Sequence, residues 1–593
     1  MKMTAERLKK RVLAAKGEIP FNQLFYHARL VNVYTESVME NACVGVVDGV
    51  IVSVCPSFEP DAVEKIDCGG LFLAPSLIDA HMHIESSHLS PAAYCEGAVP
   101  HGTGCIFTDP MQIANAAGAD GIRDFCRMLE RLPLRSYLQF PSRVPAAEGM
   151  ETAGGYFSPE TTGELMQSMD VHSLGEVNGA DLYSEKTLQK IAAAYSLGKP
   201  VNGHCPALRH DELCAAVAAG LSDDHESETF EELYERLSLG MPVFVREGTI
   251  EPNCVPLITG VVKHNIPTDG LMFCTDDKAP ADIKQNGCID HAVRLAIKCG
   301  MNPIKAIKLA TLNAARHFGQ EHFIGSVAPG RFADFILFDS LEQLDIQQVY
   351  FGGKLVAEQG KLVASVETDF ERHYPSLCKT VILPKNMTEA DLAVPLPKEC
   401  SRFEAVVMKI RKESLMTEQT TAVMEAKNGM ANPDIQHDIL PLAVIERYGK
   451  VGNIGHGFIS GLGITRGAVA ASMAQEGNNL VTCGVNYKDM LTAARAVEKM
   501  GGGAAICIDG KITAMLKYPI AGIMGSGSLD AEIRFSEEFA AKIAEMGSMN
   551  PMLVTYLIVA TCSSIPVLGL TDMGLIDVNS HKIIDPVSKI IRS

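Results

Sequence analysis

The stretch LIDAHMHIESSH, residues 77–88, opens as an apolar strand, sets His81 and His83 on either side of one methionine, and adds Glu85 two residues on. Residues i and i+2 of a strand point the same way, so His81, His83 and Glu85 are expected on one face and Met82 and Ile84 on the other. Taken alone, a His-x-His pair reads as two solvated imidazoles on a part-exposed strand. The rest of the chain overturns that reading.

The run is the first of eight. SLIDAHMH, GCIFTDP, RSYLQFPS, VHSLGEV, PVNGHCP, GLSDDHE, MPVFVRE and LMFCTDD are apolar, β-type segments. Helical runs separate most of them, as in the periodicity over residues 122–132 and in DELCAAVAAG from Asp211. Eight strand–helix units in about 250 residues have the size and rhythm of an α/β (β/α)8 TIM-like barrel. Shorter β-rich stretches flank it: LVNVYTESVMENACVGVVDGVIVSV, with a turn at Asp48-Gly49, and GSVAPGRFADFILFD followed by VYFGGKLVAEQGKLV. They predict a small β-sandwich domain built from residues 1–74 and 325–375, with the barrel, residues 75–324, inserted between. Residues 376–593 predict a separate C-terminal α+β domain. Its glycines, as in GNIGHGFISGLGITRGAVAAS and GGGAAICIDGKI, follow neither the strand–GxGxxG–helix order nor Gly-Lys-Ser/Thr, so they read as tight turns rather than a phosphate cradle.

At 593 residues the chain is too long for one core. Its 47% hydrophobic and 21% charged residues are ordinary for a soluble globular protein. A net charge of −19 argues against nucleic-acid and anionic-membrane partners, which attract basic surfaces. The 17 cysteines are odd in number, scattered and not paired as CxxC, so they read as reduced thiols of a cytoplasmic protein. MKMTAERLKKRVLAAKGEIP is basic without a continuous apolar core, which predicts an amphipathic surface helix rather than a secretory signal. MLVTYLIVATCSSIPVLGL is broken by Thr, Ser and Pro566 and reads as a buried element, not a membrane span.

The polar residues of the central region gather at the C-terminal ends of the predicted strands. They are His81 and His83 on the first, Asp109 on the second, Glu176 on the fourth, His204 on the fifth, His225 on the sixth, and Asp276 with Asp277 on the eighth. Strand C-termini converge on one mouth of a barrel, where active sites are built. Four imidazoles with two carboxylates exceed what one small divalent ion takes, and suit two ions sharing a carboxylate and a hydroxide.

These residues resemble the amidohydrolase superfamily: HMH on the first strand, single histidines on the fifth and sixth, an aspartate on the eighth, and GSVAPGRFADFILFD on the return. IDAHMHIESS, VNGHCP, SDDHES, GMPVFVREG, FCTDD, IDHAVRLAI and ATLNAARHFG, with YGKVGNIGHGF, PIAGIMG and GLTDMGLIDV nearer the C-terminus, are similar in that order to its adenine deaminase family. The resemblance implies that His81, His83, His204, His225 and Asp276 are ligands of two divalent ions, manganese or iron ahead of zinc. Glu176 then takes the bridging place that a carboxylated lysine holds in many relatives. It implies hydrolysis of adenine to hypoxanthine and ammonia by a metal-activated hydroxide, within purine salvage, by a chain that forms a homodimer. Asp276 is expected to accept the proton, with Glu85 and Glu226 assisting. Glu85, Asp109 and Asp277 are expected to bind a purine that presents N–H groups.

The chain also departs from that family's pattern. TDPMQIAN has Met111 where TDPHEIAN has histidine, PSRVPA has Arg143 for a cysteine, Ala279 replaces a histidine after the strand-eight aspartates, and AQEGNN, residues 474–479, stands for AHDSHN. The ligand set is intact while its surroundings have changed. A second reading is therefore a metallohydrolase of a C6-modified purine or another cyclic amidine or amide. A non-catalytic scaffold is a third, disfavoured because no ligand is missing.

Overall fold

The computed structural model describes residues 4–366, 370–411, 416–474, 476–550, 552–563 and 567–591. It is a mixed α/β chain with a barrel-like central domain and a separate C-terminal domain. In the centre, Leu77–Met82, Thr103–Thr108, Arg135–Phe140, Val171–Asn178 and Val201–His204 pair side by side in chain order, all parallel. Val243–Arg246 pairs in parallel with Leu271–Cys274. Single parallel bridges, Asp224 with Val243 and Met82 with Asp276, continue the ring on either side of this pair, and at the third gap the Ser222 amide donates to the Val201 carbonyl at 2.8 Å.

The sixth expected strand, GLSDDHE, is thus reduced to one bridge. Its own carboxylates explain why. Asp223 Oδ1 accepts from the Gly203 amide at 3.2 Å, and Asp224 accepts from the amides of Cys205 at 2.8 Å and Glu226 at 3.1 Å. Side chains that take up nearby amides compete with a strand ladder. Arg236, fully buried, pairs with Asp224 and fixes the segment.

The ring is filled from below by Ile78, Ala80, Cys105, Phe107, Phe244, Met272 and Cys274, closed by Ala314, Ala315 and Phe318. Leu77, Ile106, Val243, Val245, Leu271 and Phe273 point outward against the helices. This alternation has a consequence at the first strand. Ile78 and Ala80 face inward, so strict alternation would send His81 and His83 outward. A register irregularity between Asp79 and Met82 reverses the phase and turns both histidines into the mouth. Irregularities of this kind re-aim side chains beside active sites.

Both flanks of the barrel join one nine-stranded sheet. The rings of Phe25 and Tyr350 lie 4.9 Å apart, although two strands separate theirs in the hydrogen-bonding order. Strands spaced ~4.8 Å apart would hold them much further apart in a flat sheet. The sheet therefore curls on itself, so the two layers expected of a sandwich are opposed parts of one sheet. The turn at Asp48 and Gly49 has φ of 51° and 75°, the left-handed pair a tight hairpin requires.

The C-terminal domain is a ten-stranded sheet with the helix Tyr487–Met500 packed on it, and a three-stranded meander starting at Leu568–Thr571. Gly503 has φ of 113° at the start of the strand Gly503–Ile508, and a side chain there would meet the Leu516 carbonyl of the paired strand at 1.8 Å, so close approach of two strands requires this glycine. The late apolar run forms the short buried helix Leu553–Val559, and Pro566 lies outside the described residues. The N-terminal helix is Ala5–Ala15; residues 1–3 lie outside the described part. No helix among the described residues is long and apolar enough to cross a membrane.

Candidate active site

His81 and His83 are buried, their rings 4.9 Å apart and nearly perpendicular. Each is oriented through Nδ1: His81 against Gln139 Oε1 at 2.8 Å, His83 against the Asp109 carbonyl at 2.6 Å. Both Nε2 atoms then face Asp276 Oδ1, at 3.7 Å and 3.5 Å. Across the mouth, Glu176 Oε2 lies 3.3 Å from His204 Nδ1, 3.4 Å from His225 Nε2 and 3.6 Å from His81 Nε2. All six expected ligands thus come together, in three overlapping groups whose donor atoms lie within 4.8 Å of one another.

These separations are too long for good hydrogen bonds. All but the 3.7 Å separation match the spacing of donors that could share one ion, since bonds of about 2.0–2.2 Å in a tetrahedral arrangement put neighbouring donors roughly 3.3–3.6 Å apart. His81 Nε2 is buried with no hydrogen-bond partner in the protein. Imidazole nitrogens and carboxylate oxygens without a thiolate suit manganese, iron or zinc.

The charges agree with the distances. Burial pushes the His83 imidazole down, but Glu176 and Asp276 outweigh it and raise it to about 10. His225 is raised in the same way, with Glu176 and Glu226 overcoming burial. Burial pushes Glu176 up, and His204 and Arg143 more than reverse it, holding the carboxylate well below its usual range. The carboxylates around His83 and His225 thus favour positive charge at this point of the mouth, which is where a divalent ion would sit.

Asp276 has φ of 54°, a backbone conformation that is strained for aspartate. It is held because the Asp276 amide donates to the His81 carbonyl at 3.1 Å and its carbonyl accepts from the His83 amide at 3.2 Å. Arg246 Nη1 donates to Asp276 Oδ2 at 2.8 Å and to Glu226 Oε1 at 2.6 Å. Glu226 Oε1 also lies 3.1 Å from His225 Nε2. Burial is outweighed by His204 and Arg246, so Glu226 stays ionised far below the ordinary glutamate value.

Glu85 reaches the mouth by a different route from the one its spacing suggests. The strand ends at Met82, and Ile84–Ser87 is a 3₁₀ turn, so a turn and not the pleat places the carboxylate. Its Oε1 accepts from the Gln112 amide at 3.1 Å, while Oε2 is buried and has no partner in the protein. Burial raises Glu85 to about 7 and Asp109 to about 6. Asp109 Oδ2 accepts from the Glu176 amide at 3.2 Å, and a side chain at Gly175 would meet that oxygen at 2.1 Å. Asp109 Oδ1 and Asp277 Oδ1 are also buried without partners.

Several residues here escaped the sequence reading. Arg246 ends its strand at the same level as the other site residues, a signal that was present in VFVRE. Gln139 is the polar residue in the otherwise apolar end of YLQF. Arg143 stood out only as a departure; it donates to Glu176 Oε1 at 2.5 Å. Met111 opens the helix Met111–Leu129 beside Asp109 and is buried; Ala279 is half-buried and its amide donates to Thr249 Oγ1 at 2.8 Å.

Comparison with known proteins gives two family matches and several full-length relatives. Residues 72–356 match the Amidohydrolase family, and residues 414–582 match the Adenine deaminase C-terminal domain. The chain is 39% identical over 576 residues to an adenine deaminase of Desulforamulus reducens, covering 97% of each chain. It is 35% identical over 576 residues to one of Dehalococcoides mccartyi, covering 97% of this chain and 98% of that one. Identity to an adenine deaminase of Methanococcoides burtonii is 33% over 591 residues, covering 98% and 99%.

Proposed function

The chain belongs to the adenine deaminase family of amidohydrolases, and we propose that the buried cluster at its barrel mouth hydrolyses adenine to hypoxanthine and ammonia. The observation that carries this is the partnerless His81 Nε2 among five other donors at ligand spacing. Two divalent ions are the proposed complement, held by His81, His83, Glu176, His204, His225 and Asp276. When bound, they lower the pKa of water and polarise the ring to be attacked. The eight segments of the ring are read as a (β/α)8 barrel, whose C-terminal mouth is where such sites form. The 17 cysteines, all free thiols, suit a reducing cytoplasm.

The chain's own residues divide the remaining work. Arg246 holds Asp276 Oδ2, which leaves Oδ1 aimed at the imidazoles. Asp276 takes a proton from the attacking water as its oxygen bonds to C6 of the purine. That proton passes to the 6-amino nitrogen, the C6–N bond breaks with its electron pair, and ammonia leaves; one water is consumed per ammonia released. Glu85 Oε2, Asp109 Oδ1 and Asp277 Oδ1 are buried acceptors without protein donors, a chemistry that suits the N–H groups of a purine. Glu226, ionised and paired with Arg246, acts by fixing that arginine.

Ammonia release from a panel containing adenine, C6-alkylamino purines and cyclic amides tests this. Turnover of adenine is expected. Hydrolysis of a cyclic amide with no activity on any 6-aminopurine would overturn the purine reading.

A further inference from the structure

Arg143 lies on the loop after the third barrel strand, and its guanidinium reaches two carboxylates from distant parts of the chain. Nη2 donates to Glu176 Oε1 at 2.5 Å, and Nη1 donates to Glu476 Oε1 at 3.3 Å. All three side chains are at most 10% exposed. Glu476 belongs to the C-terminal domain, 333 residues further along the chain. It is itself held, because its Oε2 accepts from the Ser563 amide at 3.0 Å and hydroxyl at 2.7 Å.

The backbone around this contact is clamped by the same domain. Asn479 Nδ2 donates to the Thr152 carbonyl at 2.8 Å, and the Thr152 amide donates to Asp572 Oδ1 at 2.8 Å. Lys450 Nζ donates to the carbonyls of Ala153 at 2.7 Å and Gly154 at 2.8 Å. The Arg143 loop is therefore fixed by residues outside the barrel.

We propose that Arg143 is a positioning residue that pins Glu176 by one oxygen and takes its own place from Glu476, making the C-terminal domain a working part of the ion site. The inference rests on the reading of Glu176 as an ion ligand. A free carboxylate rotates about its last bond and offers either oxygen, or both, to an ion. With Oε1 turned to the guanidinium, Oε2 is the oxygen presented to the site, 3.3–3.6 Å from three imidazole nitrogens. The arrangement needs the arginine fork, since a lysine ammonium is a single point that cannot hold this planar two-carboxylate geometry. Without Glu476 the guanidinium has lost one of its two buried counter-charges. Without Arg143 two buried carboxylates face each other unscreened.

The test uses the full chain, stripped of metal and titrated with Mn(II) alone, comparing wild type with Glu176→Gln, Arg143→Lys, Glu476→Gln and Ser563→Ala. Partners behind a metal ligand typically contribute about 10–100-fold in affinity. Arg143→Lys and Glu476→Gln are expected to weaken Mn(II) binding by about that range and to lower kcat for adenine more than they change KM. Ser563→Ala, which keeps the Glu476 charge but loosens its hold, is expected to weaken binding less, and it carries the test if Glu476→Gln folds poorly. A purely structural pair would instead lower the melting temperature of the metal-free protein and leave Mn(II) affinity alone. Loss of Mn(II) binding in Glu176→Gln, with wild-type affinity in both Arg143→Lys and Glu476→Gln, would overturn the inference and leave the ligand reading standing. Wild-type Mn(II) affinity in Glu176→Gln would remove the ligand reading itself.

Discussion

Glu85→Gln separates a substrate contact from a metal ligand. The wild-type carboxylate is fully buried; Oε1 accepts from the Gln112 amide at 3.1 Å, and Oε2 has no donor in the protein. Glutamine keeps an oxygen for the Gln112 amide, so the existing bond survives and the loss falls on the second position. There an acceptor becomes an amide NH2, which repels a substrate N–H instead of receiving it. A hydrogen bond to a charged group contributes roughly 1.5–3 kcal/mol, which corresponds to a fall of about 10–150-fold in kcat/KM. The assay is hypoxanthine formation from adenine, run near pH 8.5 because burial raises this carboxyl to about 7 and the wild type must be ionised. Metal content is measured on the same samples. A change below about threefold with full metal content would refute the substrate contact. Loss of metal would move Glu85 into the ligand set.

Two further outcomes follow from the same geometry. Asp276→Asn should lower kcat by about 10²–10⁴-fold, the usual scale for a lost general base, and release some metal; near-wild-type turnover would remove the proton-accepting role. Glu151, on the Arg143 loop, is raised to about 8, first by burial and then by the nearby Glu476. The unfolded chain sheds this proton near the ordinary glutamate value while the folded chain keeps it. Stability therefore falls as pH rises towards about 8 and levels off above it. Glu151→Gln should raise Tm at about pH 8.5 and leave it nearly unchanged near pH 4, with at most about 5 kcal/mol involved at 1.36 kcal/mol per pH unit. An equal change in Tm at both pH values would contradict this.

The parts of the fold that were legible in the sequence are those governed by local pattern. An apolar run bounded by turn residues marks a strand, and seven of eight barrel segments stand where that pattern puts them; a terminal histidine or carboxylate marks the mouth end where one is present, and RSYLQFPS has none. The sixth escaped because Asp223 and Asp224 bond to neighbouring amides, a competition that apolar content does not report. His81 and His83 share a face as spacing requires, yet that face points inward only because of the irregularity after Asp79. Glu85 was found for a reason that the 3₁₀ turn at residues 84–87 replaces. The least legible contact is that of Arg143 with Glu476. Both positions stand out as departures, in PSRVPA and AQEGNN, but nothing local links them, and only tertiary packing brings together positions 333 residues apart.

The most direct measurement is a titration of Mn(II) into metal-free protein, with adenine turnover and bound metal per chain determined on each sample. Turnover should rise with occupancy, release one ammonia per hypoxanthine, and saturate at two ions per chain. Full adenine turnover by protein that elemental analysis shows to be free of divalent ions would contradict the central claim.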